Sequence, residues 1–178
     1  MEEIKEIREQ LRISIEGSRR ENLQKIAKQI VRHHRKDRDL EPILSLADRL
    51  WRSRNVDERS VAILLPSMSA RRIQTVHWPI FKRWVSGVRS AEHCDGIALD
   101  LLGNIVAKDR SFVRVLCHWA LSKNLWMRRA ALLGVFYRTR QMSDWEAALA
   151  VCEPVIQDRT PEVWDALRRI LQESFEVD

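Results

Sequence analysis

Residues 119–132 read Trp-Ala-Leu-Ser-Lys-Asn-Leu-Trp-Met-Arg-Arg-Ala-Ala-Leu, and they divide in the middle. Trp119, Ala120 and Leu121 close one apolar-periodic run. Ser122, Lys123 and Asn124 interrupt it, and a second run begins at Leu125. Asn124 is a good N-cap, because its side-chain oxygen can accept from the free N–H groups of the next turn. The stretch therefore predicts a helix, a tight break and a second helix.

The same grammar extends in both directions. Helical periodicity predicts helices at about 2–15, 18–35, 40–53, 57–67, 75–88, 91–107, 110–121, 125–139, 143–157 and 161–174. Ser90, Ser143 and Thr160 are further N-cap candidates, and Pro161 and Pro42 suit a first helical turn. Pro79 should kink its helix or mark where it truly starts. Ten helices in 178 residues make five helix–turn–helix units of roughly 35 residues, within the range of HEAT, armadillo or tetratricopeptide repeats. The expected fold is all-α: a single domain over 1–178, an α-α superhelix of about five HEAT-like antiparallel helix pairs with a concave basic face. A compact helical bundle is the alternative.

Composition narrows the function classes. Gly and Pro number five each, too few to punctuate a β-sandwich or to build a glycine-rich phosphate loop. No run of about 18 uncharged apolar residues is present, so no membrane span is expected. The acidic, amphipathic start at Met1-Glu2-Glu3 is unlike a signal peptide. Cys94, Cys117 and Cys152 are widely spaced, which suits free thiols in a reducing, cytoplasmic setting. His93-Cys94 and Cys117-His118 are helical neighbours pointing about 100° apart, so neither pair works as a metal or nucleophile unit. No metal and no cofactor are expected.

The net charge of +6 is concentrated. Between Arg19 and Arg38 lie eight basic residues against Glu21 and Asp37, a surplus equal to that of the whole chain. Lys25, Lys28, Arg32 and Arg35 recur on one helix face, with Leu23, Ile26, Ala27, Ile30 and Val31 opposite. Such a stripe is either a solvated face or a phosphate-binding one.

Two charged residues break the apolar pattern. On a 100° wheel Asp95 falls among Ala98, Leu99 and Leu102, where a carboxylate must be paired or must line a cleft. Arg129 projects beside Leu133 and Phe136, at the flank of a broad buried face that includes Trp126, Met127, Ala130, Ala131, Gly134 and Tyr137. It is either the partner of a buried acid, with Asp95 the obvious one, or a phosphate ligand. Most of the seven Trp fall at core spacings. Trp164 stands apart, in a first turn beside Arg168-Arg169, where an aromatic also suits stacking on a nucleobase.

With these residues in place, the sequence resembles the AlkD-like DNA alkylation repair family of HEAT-like helical-repeat DNA glycosylases. The segment Trp119 to Leu132 resembles that family's W-A-x-S-x-N-x-W-x-x-R-A-A-x pattern. Leu50-Trp51-Arg52-Ser53 with Glu58, Arg59 and Ala62 resembles its L-W-x-S…E-x-R…A, and Trp84-Val85 with Asp95 its W-V…D. The similarity covers about 40–175. It implies binding of alkylated double-stranded DNA by a monomer, in the cytoplasm or at the nucleoid of a bacterium. The implied reaction is hydrolysis of the N-glycosidic bond of cationic purines of the 3-methyladenine or 7-methylguanine type. By match, Asp95 would be the catalytic carboxylate, Arg129 would hold a backbone phosphate, and Trp164 would pack on the sugar or base. Lys25, Lys28, Arg32, Arg35, Arg128 and Arg168 would grip flanking phosphates. Two features depart from the family: Ala91 stands where it carries a Trp, so one wall of the aromatic cleft is missing unless Trp84 or His93 fills in, and an acidic helix replaces its Gly- and aromatic-rich opening. A helical-repeat DNA binder without catalysis, or a HEAT-type protein-interaction scaffold, are the alternatives.

Overall fold

The computed structural model describes residues 2–13, 18–37 and 39–175. The last residues of the first expected helix, Gly17 and Arg38 of the basic run lie outside them. Every regular element among the described residues is helical, as the periodicity predicts. The chain groups into two compact units, Met1–Ile73 and Gln74–Asp178.

In the first unit, α1 (Glu2–Ile13) packs on α2 (Arg19–His33), α2 packs on α4 (Val56–Ser67), and α4 folds back on α3 (Glu41–Trp51). Ser18 caps α2 by accepting from Glu21 N at 3.3 Å, and Asn55 caps α4 by accepting from Asp57 N and Glu58 N. Pro42 occupies the first turn of α3, where no N–H is missed. Ile26, Ala27 and Ile30 of α2 are buried, as are Val61, Ala62 and Leu65 of α4. Arg8 of α1 forks onto Glu58 of α4 at 3.0 and 3.1 Å.

The second unit is built around α9 (Leu125–Met142), which touches α5 (Trp78–Ser86), α6 (Ala91–Asp95), α7 (Gly103–Lys108), α8 (Phe112–Ala120), α10 (Trp145–Cys152) and α11 (Pro161–Phe175). A helix with neighbours on several sides buries apolar residues on more than one face. Leu132 and Val135 are accordingly buried along with Ala130, Ala131 and Leu133, so the burial exceeds the one face read from the wheel. Tyr137 is the opposite case: it is exposed, lying over Gly103, where an added Cβ would come within 3.3 Å of Tyr137 Cβ. Trp51, Trp78, Trp84 and Trp119 are buried, and Trp78 meets Trp119 with ring centroids 5.0 Å apart.

Pro79 lies in the first turn of α5, so it marks the start of that helix rather than a kink. One expected cap is corrected. Ser143 has φ 52°, a left-handed residue ending α9, and Asp144 caps α10 by accepting from Ala147 N at 3.2 Å. Asp144 wins because it has more to bond: Arg110 donates to both its oxygens at 2.9 and 3.2 Å, and Arg138 Nε donates at 2.9 Å.

Chiefly through the Arg110 hydrogen bond, Asp144 is held down at about 2. A carboxyl with a depressed folded-state pKa stabilises the fold above its unfolded value near 4 and loses that contribution as pH falls towards 2. Asp144→Asn should therefore lower the urea midpoint by a constant amount above about pH 5. The gap should close between about pH 4 and 2.

Candidate functional site

Asp95 is the last residue of α6, and the helix then widens into a π-helical segment over Gly96–Leu102. Such widened turns are frequent at functional sites because they break the regular hydrogen-bond ladder and re-aim side chains. Ser90 starts α6 by accepting from His93 N at 3.4 Å. Arg129 sits in the second turn of α9, which Asn124 caps by accepting from Trp126 N at 2.9 Å. The two side chains meet as a fork: Nε donates to Oδ1 at 2.6 Å and Nη2 to Oδ2 at 2.8 Å.

A guanidinium carries five N–H groups. The other three of Arg129 point at the first two turns of α11: Nη1 donates to the Glu162 carbonyl, and Nη1 and Nη2 both donate to Asp165 Oδ2 at 3.2 Å. All five donors are thereby matched. The Arg129 side chain is only 4% exposed, whereas Asp95 retains 24% and Asp165 54%. Burial pulls the Arg129 pKa down, but its bonds to Asp95 and Asp165 outweigh that and leave it above the ordinary arginine value. The cation is permanent, and of its two negative partners Asp165 is the more exposed.

Beside it Cys94 is buried, its Sγ 3.4 Å from the Trp126 carbonyl, and burial pushes the thiol up to about 12. A thiol that stays protonated is no nucleophile at neutral pH.

Trp164 precedes Asp165 and is half exposed. It borders a 640 Å³ depression lined also by Ile156, Gln157, Asp158, Arg159 and Pro161. Of the two aromatic side chains considered for the wall beside Ala91, Trp84 is fully buried and His93 is buried. Arg168 is exposed and reaches Asp165 Oδ1 at 3.3 Å.

Arg128 behaves differently from its neighbour. Its Nε donates to Asp158 at 2.6 Å, Nη1 to the Ser122 and Lys123 carbonyls at 2.8 and 3.2 Å, and Nη2 to Thr160 Oγ1 at 3.1 Å. It clamps the turn before α9 to the turn before α11. Its side chain, expected to grip a flanking phosphate, makes these four bonds within the chain.

In the first unit Lys25, Lys28, Arg32 and Arg35 do share a face. They are exposed and line a 720 Å³ groove with Glu21, Gln24, Val31 and Met68. Among the described residues, no group of His, Cys, Asp or Glu is placed to hold a metal ion, and no helix is long and apolar enough to cross a membrane.

A family model described as DNA alkylation repair enzyme matches residues 10–174. The chain belongs to that family. No curated protein matches it. The structure brings the expected Asp95 and Arg129 together, and α11, which carries the half-exposed Trp164, packs against the same helix. Asp165 joins them, and sequence reasoning missed it. The available signal was its position directly after Trp164, three residues before Arg168, but a surface acid beside a surface arginine carries little information alone.

Proposed function

We propose that this chain is a monomeric, cytoplasmic DNA glycosylase. It binds duplex DNA and hydrolyses the N-glycosidic bond of cationic alkylated purines. The observation that carries this reading is the Asp95 carboxylate, partly open to solvent and oriented by a two-point guanidinium fork. As the C1′–N bond breaks, its electron pair moves onto the positively charged ring and neutralises it. Positive charge then develops on the sugar, and a fixed carboxylate stabilises it where a mobile one would have to reorganise. Water adds to C1′ and gives up a proton, leaving free base and an abasic site. Arg129 supplies orientation for Asp95, and Trp164 supplies a face for a sugar or cationic base. No metal or cofactor enters the reaction.

Lys25, Lys28, Arg32, Arg35 and Arg168 would supply phosphate contacts, which fix register without reading sequence. Binding should then weaken with salt by about 0.9 in log affinity per phosphate contact. Replacing Lys25, Lys28, Arg32 and Arg35 by Gln should flatten that slope by about 3–4, read by fluorescence anisotropy between 50 and 300 mM salt.

The decisive experiment is release of 7-methylguanine from methylated duplex DNA by purified protein. No release would overturn the catalytic reading. A non-catalytic DNA binder is the second reading, favoured by the inward-facing Trp84 and His93, which leave Trp164 without the aromatic partner that Ala91 replaces. It predicts the same salt slope without base release.

A further inference from the structure

For Arg129 to touch a DNA phosphate, one of its three partners must leave. The candidates are unequal. Asp95 holds the fork at 2.6 and 2.8 Å, and the Glu162 carbonyl belongs to the α11 backbone and cannot swing away. Asp165 makes two longer bonds at 3.2 Å through a single oxygen, and its side chain is 54% exposed. It also has somewhere to go, because its second oxygen already accepts from Arg168 at 3.3 Å.

We infer that Asp165 is a displaceable anion: it occupies the Nη1–Nη2 edge of Arg129 until the phosphodiester of bound DNA takes that edge, and Arg168 then holds the released carboxylate. A phosphate oxygen accepts from two adjacent guanidinium N–H groups as a carboxylate does, so the exchange leaves no donor unmatched. The cost of leaving Arg129 bare in the free protein, a buried cation with two orphan donors, is thereby avoided. The carboxylate lowers affinity for any backbone that cannot displace it, which makes Asp165 a gate on the site. This rests on the reading that the chain binds duplex DNA, but it needs no catalysis.

The test compares Asp165→Asn, Asp165→Glu and Glu153→Gln in binding unmodified duplex at fixed salt. Glu153 is an exposed carboxylate of the same unit, so its variant reports the loss of one negative charge alone. Asp165→Asn should bind about tenfold more tightly than wild type, Asp165→Glu should resemble wild type, and Glu153→Gln should gain less than about twofold. Inorganic phosphate, present through linkage only where it binds the folded state, should raise the Tm of Asp165→Asn and leave that of wild type unchanged. Equal gains in Asp165→Asn and Glu153→Gln would overturn the inference, as would loss of the fold in Asp165→Asn, which would make the carboxylate a structural ligand. If the Asn variant gains affinity while wild type releases no base, the glycosylase reading fails and the gate stands. If wild type releases base but the Asn variant gains nothing, the gate fails alone.

Discussion

Arg129→Ala is expected to lower the unfolding free energy by about 3–5 kcal/mol, measured by urea denaturation at pH 7. The truncation leaves Asp95 three-quarters buried with both oxygens unmatched, strips the Glu162 carbonyl of a donor, and opens a cavity beside the central helix of its unit. Breaking a buried pair costs more than the pair contributes, because the surviving charge keeps its desolvation penalty. The residual exposure of Asp95 places the value towards the lower end of that range. The double variant Asp95→Leu, Arg129→Met is the instructive control. Removing both charges while keeping bulk should recover most of the lost stability, because no buried ion is left alone. It should recover no base release. A single variant as stable as wild type would mean that solvent or Asp165 compensates, and the pair would then not be a structural keystone.

Asp95→Asn should have the largest effect on chemistry, slowing release of 7-methylguanine by about 10²–10³-fold in single-turnover assays. The amide matches the carboxylate in shape and still offers one oxygen to the Arg129 fork, so the fold should survive with a loss of about 1–3 kcal/mol. What disappears is the negative charge facing the developing cation. Affinity for unmodified duplex should change less than in Asp165→Asn, because Asp165 still occupies the Nη1–Nη2 edge of Arg129. The rate per folded molecule identifies the role, because a purely structural carboxylate would leave it intact however far the urea midpoint moved. Release at the wild-type rate would remove Asp95 from catalysis altogether.

The Asp144 and Asp95 carboxylates illustrate how differently two acids in one unit are read. Both sit in bidentate arginine contacts. Asp95 stood out in the sequence because it interrupted an apolar helical arc, a local pattern that a wheel exposes. Asp144 did not, because it lies in a break between helices where polar residues are ordinary, and Ser143 beside it looked the better cap. The deciding partner, Arg110, is 34 residues away, beyond any local rule. Arg128 and Arg129 differ in the same manner. Adjacent and chemically identical, they become a clamp between two turns and the centre of a carboxylate cluster, because successive helical residues point about 100° apart towards different neighbours.

The succession of helices and most caps were legible in the chain itself, since apolar spacing, Asn124 and Ser90 act over three or four residues and need no partner. So were the basic face of α2 and the pairing of Asp95 with Arg129, each an anomaly of charge against a periodic background. The tertiary structure alone decided the saturation of Arg129. That required α6, α9 and α11 to bring two carboxylates and a carbonyl to one guanidinium, and hydrogen-bond geometry is a property of three elements in space. It also decided that Trp84 and His93 face inward while Trp164 faces out, because burial depends on which neighbours cover a helix face, and no single helix carries that information.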